Sequence, residues 1–134
     1  MGNKILIVDD DKDLVQSIAQ VLRSNKYEVA EAYSGQEGLG KLLAEKPDLM
    51  ILDIMMERDT AGFEAVYQIR DKRDSSKYKA VKDVPIIILT AINQVTNNRF
   101  SLNQEESFLP KVNDFLTKPI NLDVMLEKVK AIVK

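Results

Sequence analysis

Residues 4–11 read KILIVDDD, an apolar run that ends abruptly in three aspartates. From Ile5 to Val8 every side chain is aliphatic, and this lack of polar alternation predicts a strand that is covered on both faces. The aspartates predict the start of a helix, with Asp11 as its N-cap and Asp13 in a first turn whose dipole favours negative charge. A buried strand that leads into a helix is the building unit of parallel sheets.

The same unit recurs along the chain. The sequence predicts strands at residues 4–8, 27–32, 49–52, 85–89 and 114–117. Ser34 with Glu37 forms a capping box for the second helix, the third helix runs to about Asp71, and Asn121 caps the last helix. Strands that alternate with helices need right-handed crossovers, so we predict an α/β fold: a five-stranded parallel sheet with helices on both faces.

Two segments lack a clear pattern. Residues 72–83 are charged and contain two serines, which predicts an exposed loop or an extension of the third helix. Residues 92–112 keep no apolar period and contain Pro110, so we expect only a short or irregular helix there. No repeat or flexible linker divides the 134 residues, and we predict a single domain over residues 1–134.

The composition excludes several kinds of chemistry. The chain has neither cysteine nor histidine, which rules out thiolate nucleophiles, disulfides, His-based triads and metals held by either residue. A net charge of −2 without a basic block argues against direct nucleic-acid binding. The N-terminus has no signal-peptide pattern, and no apolar run approaches the ~20 residues of a membrane span. We therefore expect a cytoplasmic protein without membrane contact.

Polar residues follow four of the predicted strands. Asp9 and Asp10 come after the first strand, Asp53 after the third, Thr90 after the fourth and Lys118 after the fifth. The carboxyl ends of parallel strands meet at one edge of the sheet, and ligands bind beyond that edge, near the point where the strand order reverses. We therefore expect these five side chains to share one cleft.

These residue types fit one reaction. Three carboxylates in one cleft repel one another unless a cation neutralises them. With only oxygen donors available, Mg2+ fits best, because it takes one or two carboxylates together with phosphate oxygens. A carboxylate beside Mg2+ and Lys118 can attack phosphorus, while the Thr90 hydroxyl and the backbone N–H of Ala91 can donate to phosphoryl oxygens.

Each residue taken singly has an ordinary explanation. Asp11 and Asp13 are better explained as a cap and a dipole partner than as metal ligands. Paired aspartates after a strand occur in solvated turns, a lysine before a proline is usually a surface residue, and Phe115 fits the core. The combination carries the prediction, because four strand ends that supply what one reaction needs rarely coincide by chance.

Four segments of the chain match a known pattern: IVDDD at 7–11, PDLMILDIMM at 47–56, ILTA at 88–91 and DFLTKP at 114–119. They resemble the receiver domain of two-component response regulators, and the resemblance covers the whole chain. It implies the flavodoxin-like strand order 2-1-3-4-5. It also implies a phosphorelay function, in which a sensor histidine kinase or phosphotransfer protein supplies the phosphoryl group from a phosphohistidine. Such a chain dephosphorylates itself slowly and is not a turnover enzyme.

The resemblance implies a role for each site residue. Asp53 is the phosphorylated residue, Asp10 binds Mg2+ directly, and Asp9 assists largely through water. The resemblance also implies that the carbonyl of Met55 is a metal ligand and that Thr90, Ala91 and Lys118 contact the phosphoryl group. It implies that Thr90 and Phe115 act as the switch, and that the Lys118–Pro119 peptide is cis. An unidentified downstream protein is the implied target, and we expect a monomer or a phosphorylation-dependent dimer.

Some positions depart from the family pattern. Glu57 stands where proline is usual, Gly62 comes late, and residues 92–112 are longer than usual. The family's output surface includes that segment, so a receiver-like docking module that never takes up phosphate remains the alternative. A flavin or nucleotide carrier is disfavoured because the acidic residues 9–11 would repel phosphate. A haloacid-type phosphohydrolase is disfavoured because Met55 stands where a second aspartate is needed.

Overall fold

The computed structural model describes residues 3–54, 61–71, 73, 75–91 and 112–133. The strands in these ranges are β1 (Lys4–Val8), β2 (Glu28–Ala32), β3 (Leu49–Asp53), β4 (Ile86–Ala91) and β5 (Asp114–Lys118). They form one sheet in the order β2-β1-β3-β4-β5, and every neighbouring pair is parallel. The predicted α/β fold and the strand order implied by the resemblance are both confirmed.

The described ranges contain four α-helices: α1 (Lys12–Ser24), α2 (Gly35–Glu45), α3 (Ala61–Ile69) and α4 (Leu122–Ile132). The predicted caps are confirmed. Asp11 Oδ1 accepts a hydrogen bond from the Leu14 N–H at 3.1 Å, and Ser34 Oγ accepts from the Glu37 N–H at 3.1 Å. Asn121 Oδ1 accepts from two N–H groups of the first turn of α4, at 2.9 and 3.1 Å.

The sheet separates two apolar cores. Successive side chains of a strand point to opposite faces, so Ile5 and Ile7 of β1 face one core while Leu6 and Val8 face the other. Helices α1 and α4 cover the first core, and α2 and α3 cover the second. Every residue of β3 is buried. The central strand β3, which ends at Asp53, is therefore enclosed by core on both faces.

Helix α2 approaches β1 closely at Gly38. A Cβ atom at this position would lie 2.8 Å from both γ-carbons of Val8, so only glycine lets the helix pack directly on the strand. At Gly40 no atom lies within 4 Å of the equivalent position, and the requirement is therefore specific to Gly38. Val8 is the last residue of β1, so this contact helps to fix where Asp9 begins the next segment.

The segment between α3 and β4 corrects one prediction. Helix α3 ends at Ile69, and the segment that follows is neither its extension nor a loop exposed throughout. It includes a 3-10 helix (Lys79–Val81), and Arg70 Nη1 donates to the carbonyl of Lys82, which ties the segment to the end of α3. Two side chains within residues 72–83, Tyr78 and Val81, are buried in the core beneath α2 and α3, and so is Val84, which follows them. The charged composition misled because the few large apolar residues all turn inward.

Residues 92–111 lie outside the described residues, and so does the prediction of a short or irregular helix there. Val112, the first described residue after them, is buried against the core beneath α2 and α3. None of the described helices combines the length and the apolar content that a membrane span needs.

Candidate functional site

The polar residues predicted to meet at one sheet edge lie at the carboxyl ends of their strands. Asp9 directly follows β1, and Asp53 and Lys118 are the last residues of β3 and β5. Asp53 pairs in register with Leu89, and Thr90 is the next residue of β4. Strands β3, β4 and β5 run slightly further than predicted, so these side chains are positioned by the backbone hydrogen bonds of the sheet itself.

One ammonium group joins two buried carboxylates. Lys118 Nζ lies 3.1 Å from Asp9 Oδ2 and 3.3 Å from Asp53 Oδ2. The side chains of Asp9 and Asp53 are 0% and 3% exposed, whereas that of Lys118 is 31% exposed. A single positive charge therefore faces two shielded negative charges, and the excess negative charge favours the binding of a cation.

A backbone group fixes the orientation of Asp9. Asp9 Oδ1 accepts a hydrogen bond from the Asp11 N–H at 2.9 Å, while Oδ2 faces Lys118. The sequence predicted Asp11 only as the cap of α1, so its second role in positioning a site carboxylate was missed. An aspartate that accepts from the amide two residues on is a recurring turn, and the repeated aspartates at 9–11 carried that signal.

Asp9, Asp10 and Asp53 form a cluster that can hold a metal ion. One carboxylate oxygen from each lies within 4.8 Å of the others. Partial loss of water and then the charge of Asp9 raise the pKa of Asp10, and Lys118 opposes this only in part. The cluster thus carries more negative charge than its lysine balances. Because all donors are carboxylate oxygens, the residues present fit Mg2+.

Lys118 remains charged at neutral pH. Burial alone would lower the pKa of its ammonium group, but the charges of Asp53 and Asp9 outweigh burial and raise the pKa. The lysine therefore supplies a fixed cation beside the carboxylate of Asp53. An ammonium in this position can contact the oxygens of a phosphoryl group carried by Asp53.

Comparison with known proteins identifies the family. The family model for the response regulator receiver domain matches residues 5–130. The chain belongs to this family. Over its full length the chain is 32% identical to the response regulator MprA of Mycobacterium bovis, and it spans about half the length of such curated relatives, 52% for MprA.

Solved receiver structures agree with the fold of this domain. The chemotaxis response regulator CheY4 of Vibrio cholerae superimposes with a TM-score of 0.76 at 30% identity, covering 98% of this chain and 99% of that one. A CheY-like receiver domain protein of Methanospirillum hungatei gives 0.75 at 30% identity, covering 98% and 93%. These structures are receiver domains like the one that the family model matches in this chain.

The remaining receiver residues are placed as follows. Thr90 is buried in β4, and Ala91, whose side chain lies outside the described residues, pairs in register with Lys118. Phe115 of β5 is half-buried and packs against the core beneath α2 and α3. The Lys118–Pro119 peptide is cis, as the resemblance implied. Met55 lies outside the described residues, so its role as a metal ligand stays a prediction.

Proposed function

We propose that Asp53 accepts a phosphoryl group from the phosphohistidine of a sensor histidine kinase or phosphotransfer protein. The observation that carries this proposal is the position of its carboxylate, buried at the end of β3 and 3.3 Å from Lys118 Nζ. Asp9 and Asp10 stand beside it with oxygens close enough to share one cation. Low exposure to water strengthens the electrostatic contacts of a group held in this way.

Asp9, Asp10 and Asp53, together with the carbonyl of Met55, are the residues that would hold Mg2+. When bound, Mg2+ offsets the charge of phosphoryl oxygens that approach an acidic cleft. The shared lysine supports this assignment, because three carboxylates with one ammonium leave an excess of negative charge. Met55 enters by family resemblance alone.

The transfer forms a bond between a carboxylate oxygen of Asp53 and phosphorus, and it breaks the bond between phosphorus and the imidazole nitrogen. The leaving nitrogen keeps the electron pair. Because the other ring nitrogen carries a proton, the departing imidazole is neutral. Lys118 stabilises the transferred group because its ammonium already faces Asp53. The Thr90 hydroxyl and the Ala91 N–H donate to phosphoryl oxygens. Water then attacks phosphorus slowly, which breaks the bond to the Asp53 oxygen, releases inorganic phosphate and restores the carboxylate.

Thr90 and Phe115 form the proposed switch. They lie on neighbouring strands, since β4 pairs with β5 and Phe115 is in register with Ile88, close to Thr90 in the chain. A hydroxyl drawn toward new phosphoryl oxygens vacates space that a half-buried aromatic ring can enter, which shifts an existing equilibrium. We propose that the domain acts in the cytoplasm, as a monomer or a phosphorylation-dependent dimer, on a downstream protein.

The substitution Asp53→Asn tests the acceptor directly. Wild-type protein incubated with acetyl phosphate and Mg2+ should gain one hydroxylamine-labile phosphoryl group, measured by intact-protein mass spectrometry. Asp53→Asn should gain none, because an amide oxygen is a poor nucleophile. Asp13→Asn is the matched control: it removes an exposed aspartate from the first turn of α1 and should label like the wild type.

Two results would change the assignment. Labelling of Asp53→Asn at the wild-type rate would overturn Asp53 as the acceptor. A wild-type chain that binds Mg2+ but is labelled neither by acetyl phosphate nor by a kinase would favour the docking module.

We also propose that residues 1–134 form one domain, which a single cooperative unfolding transition would support.

A further inference from the structure

β2 is the outermost strand at one edge of the sheet formed by the described residues. In a strand, the backbone groups of successive residues point alternately to the two sides. The Glu28 N–H donates to the carbonyl of Asn3 at 3.0 Å, and the Ala32 carbonyl accepts from the Asp9 N–H at 3.1 Å. The backbone groups of Glu28 and Ala32 therefore face β1. The carbonyls of Val29 and Glu31 therefore face the open edge.

Two basic side chains occupy these outward carbonyls. Arg23 Nη2 of α1 donates to the carbonyl of Val29 at 3.3 Å, and Lys41 Nζ of α2 donates to the carbonyl of Glu31 at 2.5 Å. The two helices cover opposite faces of the sheet, so the edge is approached by a cation from each side. Within the five-residue strand, both outward acceptors are thereby taken.

The arginine is held in place by side-chain contacts on its own face. Arg23 Nη2 lies 3.0 Å from Glu31 Oε2, and Glu31 Oε1 also accepts from Gln16 and from the hydroxyl of Tyr33, at 2.9 and 2.5 Å. The Glu31 side chain is only 17% exposed. Because Gln16 and Tyr33 hold the carboxylate, its ion pair with Arg23 keeps the guanidinium beside the edge of β2.

An uncovered β2 edge would be complementary to itself. If two copies met antiparallel about Ala30, Val29 of one copy would lie opposite Glu31 of the other, and the outward backbone groups of these residues would exchange hydrogen bonds. Such pairing closes on a twofold axis and needs no other partner. Exposed edge strands are known sites of association between chains, and basic side chains are a common means of blocking them.

We propose that Arg23 and Lys41 keep the β2 edge from pairing with the β2 edge of a second copy of this chain. Each cation donates a hydrogen bond to a carbonyl that the second strand would need as an acceptor. Strand pairing must therefore first displace the cation. This inference concerns a surface away from Asp53 and does not depend on the proposed phosphoryl transfer.

The test removes both cations and keeps an unbranched side chain at each position, in the double variant Arg23→Met/Lys41→Met. We expect its dimer dissociation constant, measured by sedimentation, to fall at least about tenfold below that of the wild type, which corresponds to about 1.4 kcal/mol. Hydrogen exchange of the dimer should show new protection within residues 28–32, at the outward amides of Val29 and Glu31. The control Lys46→Met/Lys130→Met removes the same charge from exposed lysines that donate to no β2 carbonyl in the described part of the chain.

The conservative exchange Arg23→Lys/Lys41→Arg keeps a cation at each position and should sediment like the wild type. If the double Met variant loses its far-ultraviolet circular dichroism, Lys41→Met alone carries the test, with the same expected direction. The proposal is overturned if the folded variant sediments like the wild type. It is also overturned if the control associates as strongly, or if exchange protection appears outside residues 28–32.

Discussion

Replacing Asp10 with asparagine should stabilise the metal-free protein while weakening its response to Mg2+. Asp10 stands beside Asp9 and Asp53, with one oxygen of each within 4.8 Å of the others. Its pKa is raised by partial loss of water and by the charge of Asp9. The negative charge of Asp10 is therefore unfavourable in the folded chain. An asparagine removes that charge, and its amide can donate to the neighbouring carboxylate.

The size of the gain follows from the distances. At 4.8 Å and an effective dielectric constant of about 20, two like charges repel by about 3.5 kcal/mol. Asp10 is exposed, so solvent screens much of this repulsion. The ammonium of Lys118 opposes part of the remainder. We expect a net gain of about 1 kcal/mol in the free energy of unfolding, or about 3–5 °C in Tm for a chain of this length.

Urea and thermal unfolding in the presence of a chelator measure this gain. The raised pKa means that the folded state binds more protons than the unfolded state between the ordinary value of 3.8 and the raised value. The wild type therefore loses stability as pH rises through that window, and the penalty is complete above it. The advantage of Asp10→Asn should be full at neutral pH and vanish below pH 3.8.

Mg2+ separates the stability effect from the proposed ligand role. A ligand at 100 times its Kd stabilises the wild type by about 2.7 kcal/mol, and Asp10→Asn should lose most of that increment. Asp13→Asn is the control, because it removes a charge that the α1 dipole favours and should cost a few tenths of a kcal/mol or more. An Asp10→Asn protein less stable than the wild type in chelator would refute the reasoning.

Two further substitutions test the packing and the charges around the site. Gly38→Ala should lower the free energy of unfolding by about 1–3 kcal/mol, because its Cβ would clash with Val8 at 2.8 Å, whereas Gly40→Ala should raise it by about 0.5–1 kcal/mol; equal values in urea denaturation would contradict the close contact. Lys118→Met should cost about 2–4 kcal/mol in chelator, since it leaves two buried carboxylates without their shared ammonium. A Lys118→Met chain as stable as the wild type would show that the ion pairs contribute nothing.

Much of the fold could be predicted because it depends on local patterns. The apolar runs from Ile5 to Val8 and from Leu49 to Leu52 predicted buried strands, and the caps at Ser34 and Asn121 predicted where two helices begin. The segment before β4 could not be predicted in the same way. Tyr78 is buried by tertiary packing beneath α3, and the composition of the charged segment around it does not predict that contact.

The site was predictable for a topological reason. Once the strands are known to be parallel, their carboxyl ends must meet, and no side-chain detail is needed to bring Asp9, Asp53 and Lys118 together. The details within the site were not predictable. The sequence does not show that Lys118 bridges both carboxylates, or that the Asp11 amide holds Asp9, because both depend on rotamers and turn geometry.

The contacts at the β2 edge could not be predicted from the sequence either. Arg23 and Lys41 look like ordinary surface residues of two helices, and neither the period of the helix nor the composition distinguishes them from Lys46 or Lys130. What distinguishes them is an outward carbonyl of β2 within reach of each long side chain. The consequences of losing a surface cation in this chain should therefore follow from the backbone acceptor it contacts, and net charge alone should not predict them.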